Sequence, residues 1–425
     1  MEVTIEPVSI RSRISGIFHR RATWVLMDQG IVSIGNFLTA NLLGRKLPEG
    51  EFGNFGLLLE TMLYFNSLQS ALVIYPLTVK GATGDRENLG RLATLSILFS
   101  FLLLPVLGFG MGFSIQRALN NWYIVFPGIA AMLLWQLQET MRRGLMSDLR
   151  FADTLIGDFI SYPGQAIIIF CLAHYTTVTL DRAFLIIGAT SALATCIQGW
   201  QIGLKPVELH MLKSVGIEFW RLGRWMVLSA SSTLVSTLAY WWTLKWRFGP
   251  ETCGVFTAIA QLFKPANPIV SSMCGLIVPA VARSSVEGGS HAASRTATKY
   301  ILFGAMLIFP YVIVLLLFPT TALRLFYGNK PYVAYGFWLR LFILNYALAY
   351  VSATAGAWLG GLGHSRWNFY AQSANLLGSV FVGVPCTYIW GVPGLIIGGL
   401  VPAGAMAITS AYFIHRAAYR KPSSH

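Results

Sequence analysis

The chain alternates long apolar segments with short polar ones. A helix of about 20 apolar residues is long enough to cross a hydrocarbon core of about 30 Å. Twelve such spans can be delimited, at 22–43, 52–79, 92–113, 122–141, 154–174, 183–203, 222–244, 253–280, 300–320, 335–360, 368–389 and 394–414. Helices satisfy their own backbone hydrogen bonds in lipid, whereas alternating segments of about ten residues, typical of a membrane β-barrel, are absent from the sequence. We therefore predict an all-α polytopic membrane protein with twelve transmembrane helices.

The composition agrees with a membrane interior. Of the 425 residues, 55% are hydrophobic and only 11% are charged, and the mean hydropathy is +0.59. Soluble domains carry about 25% charged residues, so most of this chain is unsuited to water. The five cysteines fall within predicted spans at spacings that no metal site uses. We expect them to be small packing residues, and we predict neither a metal site nor a cofactor.

An internal repeat divides the chain into two halves. The segment RLATLSILF at 91–99 returns as RTATKYILF at 295–303, with six of nine residues identical. Upstream, the Pro-Glu pair and the Gly-x-Phe pattern of 48–55 return at 250–256. Self-similarity at a fixed period indicates a duplicated structural unit. Two units of six spans enter the bilayer in the same direction, so we predict two six-helix lobes related by a pseudo-twofold axis along the membrane normal, as in secondary transporters.

The charges orient this arrangement. Most of the 31 Lys and Arg residues lie in the segments on the same side as the termini, which indicates a multi-pass protein of the inner (cytoplasmic) membrane with both termini in the cytoplasm. The net charge of +14 is spread over these loops, so we expect it to attract anionic lipid rather than nucleic acid. The predicted organisation is a cytoplasmic N-terminal segment (1–21), an N-terminal lobe (22–203), a cytoplasmic linker (204–221), a C-terminal lobe (222–414) and a cytoplasmic tail (415–425).

Several segments resemble a known family. Residues 43–55, LGRKLPEGEFGNF, are similar to the segment A-R-x-L-G-P-x-E-F-G-x-F that joins the first two spans of polysaccharide flippases. Residues 325–334, LFYGNKPYVA, are similar to that family's L-x-Y-G-x-x-Y segment, and the turns at 361–366 and 391–394 also resemble it. In their order along twelve spans, these segments resemble the polysaccharide-transporter (oligosaccharide flippase) branch of the multidrug/oligosaccharidyl-lipid/polysaccharide exporter superfamily.

The resemblance implies a flippase that moves an undecaprenyl-pyrophosphate-linked oligosaccharide across the cytoplasmic membrane by alternating access, during polysaccharide biosynthesis. It implies a lipid-linked substrate, membrane lipids, and a polysaccharide polymerase and other assembly proteins as partners. Such proteins are not enzymes, so no catalytic residue is expected. One alternative is a cation-coupled multidrug antiporter of the same fold, and another is a membrane polysaccharide polymerase or ligase. The sequence contains no phosphate-binding loop, so we do not expect ATP hydrolysis.

Two cations inside predicted spans are candidate substrate-binding residues, because a charge within the bilayer costs about 2.5–3.5 kcal/mol. Lys264 lies near the middle of span 8, in the segment KPANP, whose two prolines predict a helix break of the kind that lines cavities. Arg340 lies just inside span 10, and no Asp or Glu follows residue 287. We predict that both bind the pyrophosphate or an acidic sugar. The alternatives are a pair between Lys264 and Glu60 across the lobes, and an Arg340 that reaches the membrane surface.

Two acids are candidate sites for coupling to H⁺ or Na⁺. Glu60 lies deep in span 2, and its counterpart in the repeat is Gln261, so the fold does not require an acid there. Asp28 lies near the inner end of span 1 and is the second candidate. For Asp28, as for Glu139 and Asp158, we also expect solvated capping or pairing with nearby arginines.

Overall fold

The computed structural model describes residues 10–81, 86–208 and 210–419. Parts of four predicted segments, residues 1–9, 82–85, 209 and 420–425, lie outside the described residues. The α-helices are α1 (Ile10–Lys46), α2 (Glu49–Gln69), α3 (Tyr75–Gly81), α4 (Arg86–Leu119), α5 (Val125–Ser147), α6 (Phe151–Tyr175), α7 (Leu180–Ile202), α8 (His210–Phe248), α9 (Pro250–Gln261), α10 (Asn267–Leu317), α11 (Pro319–Tyr327), α12 (Gly336–Gly361), α13 (Ser365–Gly378), α14 (Val384–Trp390) and α15 (Val392–Tyr419).

Every predicted span is largely helical, and four of them are interrupted. Span 9 is interrupted near its end, at Phe318 between α10 and α11. Spans 2 and 11 each contain one π-helical turn, at Ser70–Ile74 between α2 and α3 and at Ser379–Gly383 between α13 and α14. Span 8 is divided between α9 and the first part of α10. Helix α10 then continues through span 9, but its backbone leaves the helical region at Gly288 and Gly289. Gly289 has a φ of 71°, in the left-handed region that glycine adopts without strain.

Seven helical stretches among the described residues are long and apolar enough to cross a membrane by length and composition. One of these, Pro250–Leu317, contains two predicted spans. Spans 1, 4, 7 and 11 are helical but less apolar, and two of them carry buried charges, Asp28 in α1 and Arg142 in α5. Helix α8 begins at His210, twelve positions before the predicted span, so the first helix of the C-terminal lobe extends well beyond a bilayer thickness.

The two halves of the chain pack in the same way. In the N-terminal lobe the first helix packs on the fifth (α1 on α6), and the fourth packs on the sixth (α5 on α7). In the C-terminal lobe the corresponding pairs are α8 with α13 and α14, and α12 with α15. Equivalent helices therefore make equivalent contacts, which is the structural counterpart of the sequence repeat. The predicted architecture of two six-helix lobes is confirmed.

The lobes meet where α2 crosses α9, at two glycines that occupy matching positions of the repeat. A Cβ on Gly53 would lie 1.7 Å from the carbonyl oxygen of Pro250, and one on Gly254 would lie 2.7 Å from that of Glu49. Each glycine thus faces the backbone of the opposite helix: Gly53 of α2 faces α9, and Gly254 of α9 faces α2. This reciprocity is what a pseudo-twofold axis through the crossing requires. Only glycine permits so close an approach.

The two segments that resemble the flippase motifs pack against each other across the lobes. Helix α11 and the turn Pro331–Tyr335 cover the start of α2, and the rings of Tyr327 and Tyr332 lie 6.0 and 5.9 Å from Phe52. Arg45 donates to the carbonyl oxygen of Phe326, and the Lys330 amine donates to that of Leu47 at 3.1 Å. Residues 43–55 and 325–334 therefore form one interlobe contact.

Candidate functional site

Lys264 lies at a helix break between the lobes. Helix α9 ends at Gln261, a single 3₁₀ turn spans Lys264–Ala266, and α10 starts at Asn267. Pro265 and Pro268 each lack a backbone donor, so the α-helical hydrogen bonds cannot continue through this segment. The predicted break is confirmed, and it directs the lysine side chain towards the N-terminal lobe.

Glu60 of α2 is the nearest acid to this lysine. Its Oε1 lies 3.8 Å from the Lys264 Nζ, and the two side chains are 20% and 33% exposed. The structure therefore brings together one predicted substrate-binding residue and one predicted coupling residue. It also shows the pairing across the lobes that the sequence left open as an alternative.

The lysine side chain lines a cavity of about 120 Å³ on the N-terminal side of the interface. Helices α1, α2, α5, α6 and α7 provide most of the wall, and Gln261 and Lys264 enter from the C-terminal lobe. The residues that line it are Asn36, Thr39, Ala40, Phe55, Leu59, Met62, Leu63, Trp135, Ser161, Tyr162, Gln165, Ile187, Gln261 and Lys264. We call this the N-lobe cavity. Lys264 is the charged residue in this lining, and the other polar groups are hydroxyls and amides.

Asp28 lies in a different environment, a buried cluster around Arg142 of α5. The Arg142 guanidinium bonds to Asp28, to Asp158 at 2.7 Å and to Glu139 at 3.1 Å. Asp28 and Asp158 are fully buried, and Arg142 is only 3% exposed. Arg143, half exposed, reaches Glu139 at 2.7 Å. Of the two expected alternatives, solvated capping or pairing with arginines, the structure shows the pairing, inside an enclosure of four helices.

Neutral donors complete this cluster. Thr154 donates to Asp28 at 2.8 Å, and the amides of Gln138 and Gln198 donate to Asp158 at 3.3 and 3.1 Å. The cluster consequently ties α1, α5, α6 and α7 together within the N-terminal lobe. Buried charges need such partners, because an unpaired one would cost several kcal/mol. The sequence analysis did not identify these two glutamines, Gln138 on α5 and Gln198 on α7.

Arg340 does not lie beside Lys264 at the N-lobe cavity. It is exposed near the start of α12, and its Nε donates to the carbonyl oxygen of Leu316 at 3.0 Å, in the last turn of α10. A cation at a helix C-terminus satisfies free carbonyl groups and the negative end of the helix dipole. This placement agrees with the alternative of a charge near the membrane surface, and Arg340 does not line the N-lobe cavity.

The C-terminal lobe contains a second cavity, of about 270 Å³, which the sequence analysis did not find. We call it the C-lobe cavity. The residues that line it are Ser236, Thr237, Tyr240, Trp241, Phe256, Phe342, Asn345, Tyr346, Ala349, Asn375, Ser379, Leu395, Gly399, Pro402 and Ala403. Its walls come from α8, α9, α12, α13 and α15, the counterparts of the helices around the N-lobe cavity.

The repeat relates four lining residues of one cavity to four of the other. Asn36, Thr39, Ala40 and Phe55 of the N-lobe cavity align with Thr237, Tyr240, Trp241 and Phe256 of the C-lobe cavity. The signal that could have revealed the second cavity was therefore present, but only once the first cavity was known. The two lobes therefore have cavities at equivalent positions but with different linings, since Ala40 in one lobe corresponds to Trp241 in the other.

Polar contacts join the lobes at both predicted membrane faces. At the outer face the Lys245 amine donates to the Asn54 side-chain oxygen at 2.5 Å, beside the contacts of Arg45 and Lys330. At the inner face Lys80 pairs with Glu218. Polar contacts therefore hold the two lobes together at both ends of their interface.

No family model matches the chain, and no curated protein matches it by sequence. Solved structures do match in fold. An inward-facing multidrug resistance MATE family transporter of the MOP superfamily superimposes with a TM-score of 0.67 at 14% identity, over 91% of this chain and 98% of that one. A MATE protein in complex with MaD3S gives 0.62 at 13% identity, over 94% and 95%. A MOP superfamily transporter from Pyrococcus furiosus, described as having a binding pocket of reverse polarity, gives 0.65 at 13% identity, over 94% and 96%.

These matches cover nearly the full length of both chains, so this protein has the MATE fold of two six-helix lobes. Identities of 13–14% establish the fold alone. The substrate must be argued from the site.

Proposed function

We propose that this protein is an alternating-access transporter that moves a lipid-linked oligosaccharide across the cytoplasmic membrane, and that Lys264 binds the diphosphate of that substrate. The proposal includes the predicted orientation, with both termini cytoplasmic, and the partners that the flippase resemblance implies. It rests mainly on one observation: a lysine at a break in a central helix lines a cavity between the lobes, with a single distant carboxylate as its partner.

The contact between Lys264 and Glu60 is weak enough to be exchanged. At 3.8 Å it is at the limit for an ion pair, and both side chains retain access to the cavity. Partly exposed pairs of this kind contribute about 0–1 kcal/mol. A diphosphate carries more negative charge than a carboxylate and accepts several charge-assisted hydrogen bonds. It would therefore displace Glu60 at little cost.

Displacement of Glu60 gives a route to ion coupling. When the lysine turns to the substrate, Glu60 is left without its counter-ion and is free to bind a cation, H⁺ or Na⁺, in its place. Release of the substrate would restore the pair and release the cation. The counterpart Gln261 lines the same cavity and cannot take part, which leaves Glu60 as the coupling residue on this side of the crossing.

We also propose Asp28 as a coupling residue, because of the balance of charges in its cluster. Three carboxylates (Asp28, Glu139 and Asp158) surround Arg142, and Arg143 is the only other cation bonded to them among the described residues. The cluster therefore has one negative charge in excess, which a proton on Asp28 or Asp158 would balance. Movement of α1 during rocking would change this balance, because Asp28 is the acid contributed by that helix.

A multidrug antiporter is the second candidate, favoured by the MATE neighbours of the fold. A cationic drug would have to approach Lys264, whose charge opposes it, whereas an anionic substrate is attracted.

The test uses cells from which the gene has been removed. We expect lipid-linked oligosaccharide to accumulate, surface polysaccharide to disappear, and the normal gene to reverse both. Lys264→Arg should complement, because the charge is kept, whereas Lys264→Ala should restore less than about one tenth of the polysaccharide, since losing a charged hydrogen bond costs about 1.5–3 kcal/mol. The exposed lysine of α10 provides the control, and Lys299→Ala should complement fully. Full complementation by Lys264→Ala would refute the role of this lysine, and normal polysaccharide with increased drug sensitivity would favour the antiporter.

A further inference from the structure

We infer that the C-lobe cavity binds an uncharged sugar ring of the substrate while the diphosphate lies at Lys264. This inference rests on the proposed function and assigns the second cavity to a distinct part of the same molecule. Four observations support it: the aromatic wall, the free amide, the absence of charge among the lining residues, and the connection to the helix break.

The aromatic wall is continuous. Trp241 contacts Phe256 edge to face at 5.0 Å between ring centroids, and Phe256 contacts Phe342 at 5.7 Å. Phe342 and Tyr346 are one helical turn apart on α12, so both face the cavity. A pyranose presents C–H bonds on its faces and hydroxyl groups on its rim. Rigid aromatic faces suit the former at low entropic cost.

The polar groups of the cavity suit the rim of a sugar. Asn375 lines it from α13, and its side-chain amide makes no hydrogen bond within the part of the chain that the structure describes. Asn345 donates to the carbonyl oxygen of Ile396 at 2.7 Å, which fixes the amide and leaves its Oδ1 as an acceptor near Gly399. An amide offers both donors and acceptors, as a hydroxyl group requires.

None of the residues that line the C-lobe cavity carries a charge. A diphosphate or a cationic drug would find no counter-ion there, so such a ligand would lose its hydration without compensation. A neutral ring with several hydroxyl groups loses less and regains hydrogen bonds from the amides and hydroxyls. The chemistry therefore favours a neutral saccharide over an ion.

The C-lobe cavity is connected to Lys264 through the preceding residue. The Phe263 ring lies 4.9 Å from the ring of Tyr346 and 5.2 Å from that of Phe342, and both of these residues line the C-lobe cavity. Lys264, next in the chain, lines the N-lobe cavity. The break between α9 and α10 thus places an aromatic ring behind the wall of one cavity and a cation in the other. A headgroup in which a diphosphate is joined directly to sugars matches this juxtaposition.

The test compares two probes on the purified full-length protein in lipid nanodiscs. One probe is undecaprenyl diphosphate without sugar, and the other is the lipid-linked oligosaccharide extracted from cells that lack this gene. Asn375→Leu and Tyr346→Leu should weaken binding of the glycosylated probe by roughly five- to tenfold, the loss expected for one stacking contact or hydrogen bond. Neither should change binding of the sugar-free probe. Lys264→Ala should weaken binding of both.

Two further variants show whether these effects come from the cavity. Tyr346→Phe keeps the ring and should retain most of the affinity for the glycosylated probe, and Tyr412→Leu removes an exposed tyrosine of α15 outside the cavity and should have no effect. Equal loss of both probes in Asn375→Leu and Tyr346→Leu, or no loss of either, would overturn the sugar site while the role of Lys264 stands. If the normal protein binds neither probe, the proposed function fails and the sugar site fails with it.

Discussion

The crossing of α2 and α9 predicts a measurable consequence of a single methyl group. In the structure, a Cβ on Gly53 would lie 1.7 Å from the Pro250 carbonyl oxygen and 2.7 Å from the Gly254 backbone nitrogen. Both are backbone atoms, so no side chain can turn away to relieve the clash. The helices would have to separate by more than 1 Å, because ordinary contacts of this kind are about 3.5 Å or longer. We therefore expect Gly53→Ala to force the lobes apart at the pseudo-twofold axis.

The expected cost follows from overpacking, which typically destabilises a protein by about 1–3 kcal/mol. A glycine-to-alanine change in a helix also stabilises it by up to about 1 kcal/mol through the unfolded state. Gly30→Ala in α1 is a matched control, because a Cβ there would have no atom within 4 Å. The two variants share the propensity gain, so the difference between them isolates the clash.

Thermal unfolding of the purified protein in detergent, followed by intrinsic tryptophan fluorescence, provides the measurement. Gly53→Ala should unfold at a clearly lower temperature than the normal protein, and Gly30→Ala at the same or a higher one. Gly254→Ala should behave like Gly53→Ala, since it meets the Glu49 carbonyl oxygen in the reciprocal way. If Gly53→Ala is as stable as Gly30→Ala, the close crossing of the two helices is incorrect.

Three further predictions concern individual charges. Arg142→Met should lower stability by about 3–5 kcal/mol in the same unfolding assay, because it leaves buried carboxylates without their cation. Arg143→Met, at a half-exposed position, should lower it by less than about 1 kcal/mol. Equal stabilities of the two variants would contradict this role of the cluster. Lys245→Met should remove the bond to Asn54 and lengthen the distance between spin labels on the outer ends of the two lobes, and an unchanged distance distribution would show that this contact does not hold the outer face closed. Arg340→Ala should retain polysaccharide export, because its guanidinium caps a helix end outside both cavities, and loss of export would return this residue to the site.

The architecture could be predicted because lipid constrains it along the chain. Span lengths follow from bilayer thickness, and the duplication remained visible at 48–55 and 250–256, the segments that form the lobe crossing. The break at Lys264 was equally local, since Pro265 and Pro268 act on their own backbone. Features that depend on residues close together in the sequence could therefore be predicted from it.

The surroundings of the charges could not be predicted in the same way. Position along a span gives depth but not the face on which a side chain lies, so Asp28 appeared to be at a solvated end although α5 and α6 enclose it. Arg340 was predicted from the same depth argument, and it caps α10 instead of lining a cavity. The C-lobe cavity depends on five helices that are distant in sequence, and its aromatic residues are indistinguishable from ordinary apolar ones until the helices are assembled.

Transport in proteoliposomes measures the proposed translocation itself. The lipid-linked oligosaccharide is placed in the vesicle membrane together with the purified protein, and its appearance in the opposite leaflet is followed with an added glycosidase that cannot cross the membrane. We expect rapid translocation by the normal protein and by Lys264→Arg, and at least a tenfold slower rate for Lys264→Ala. Translocation by Lys264→Ala at the normal rate would refute the role of Lys264, and no translocation by the normal protein would refute the proposed function.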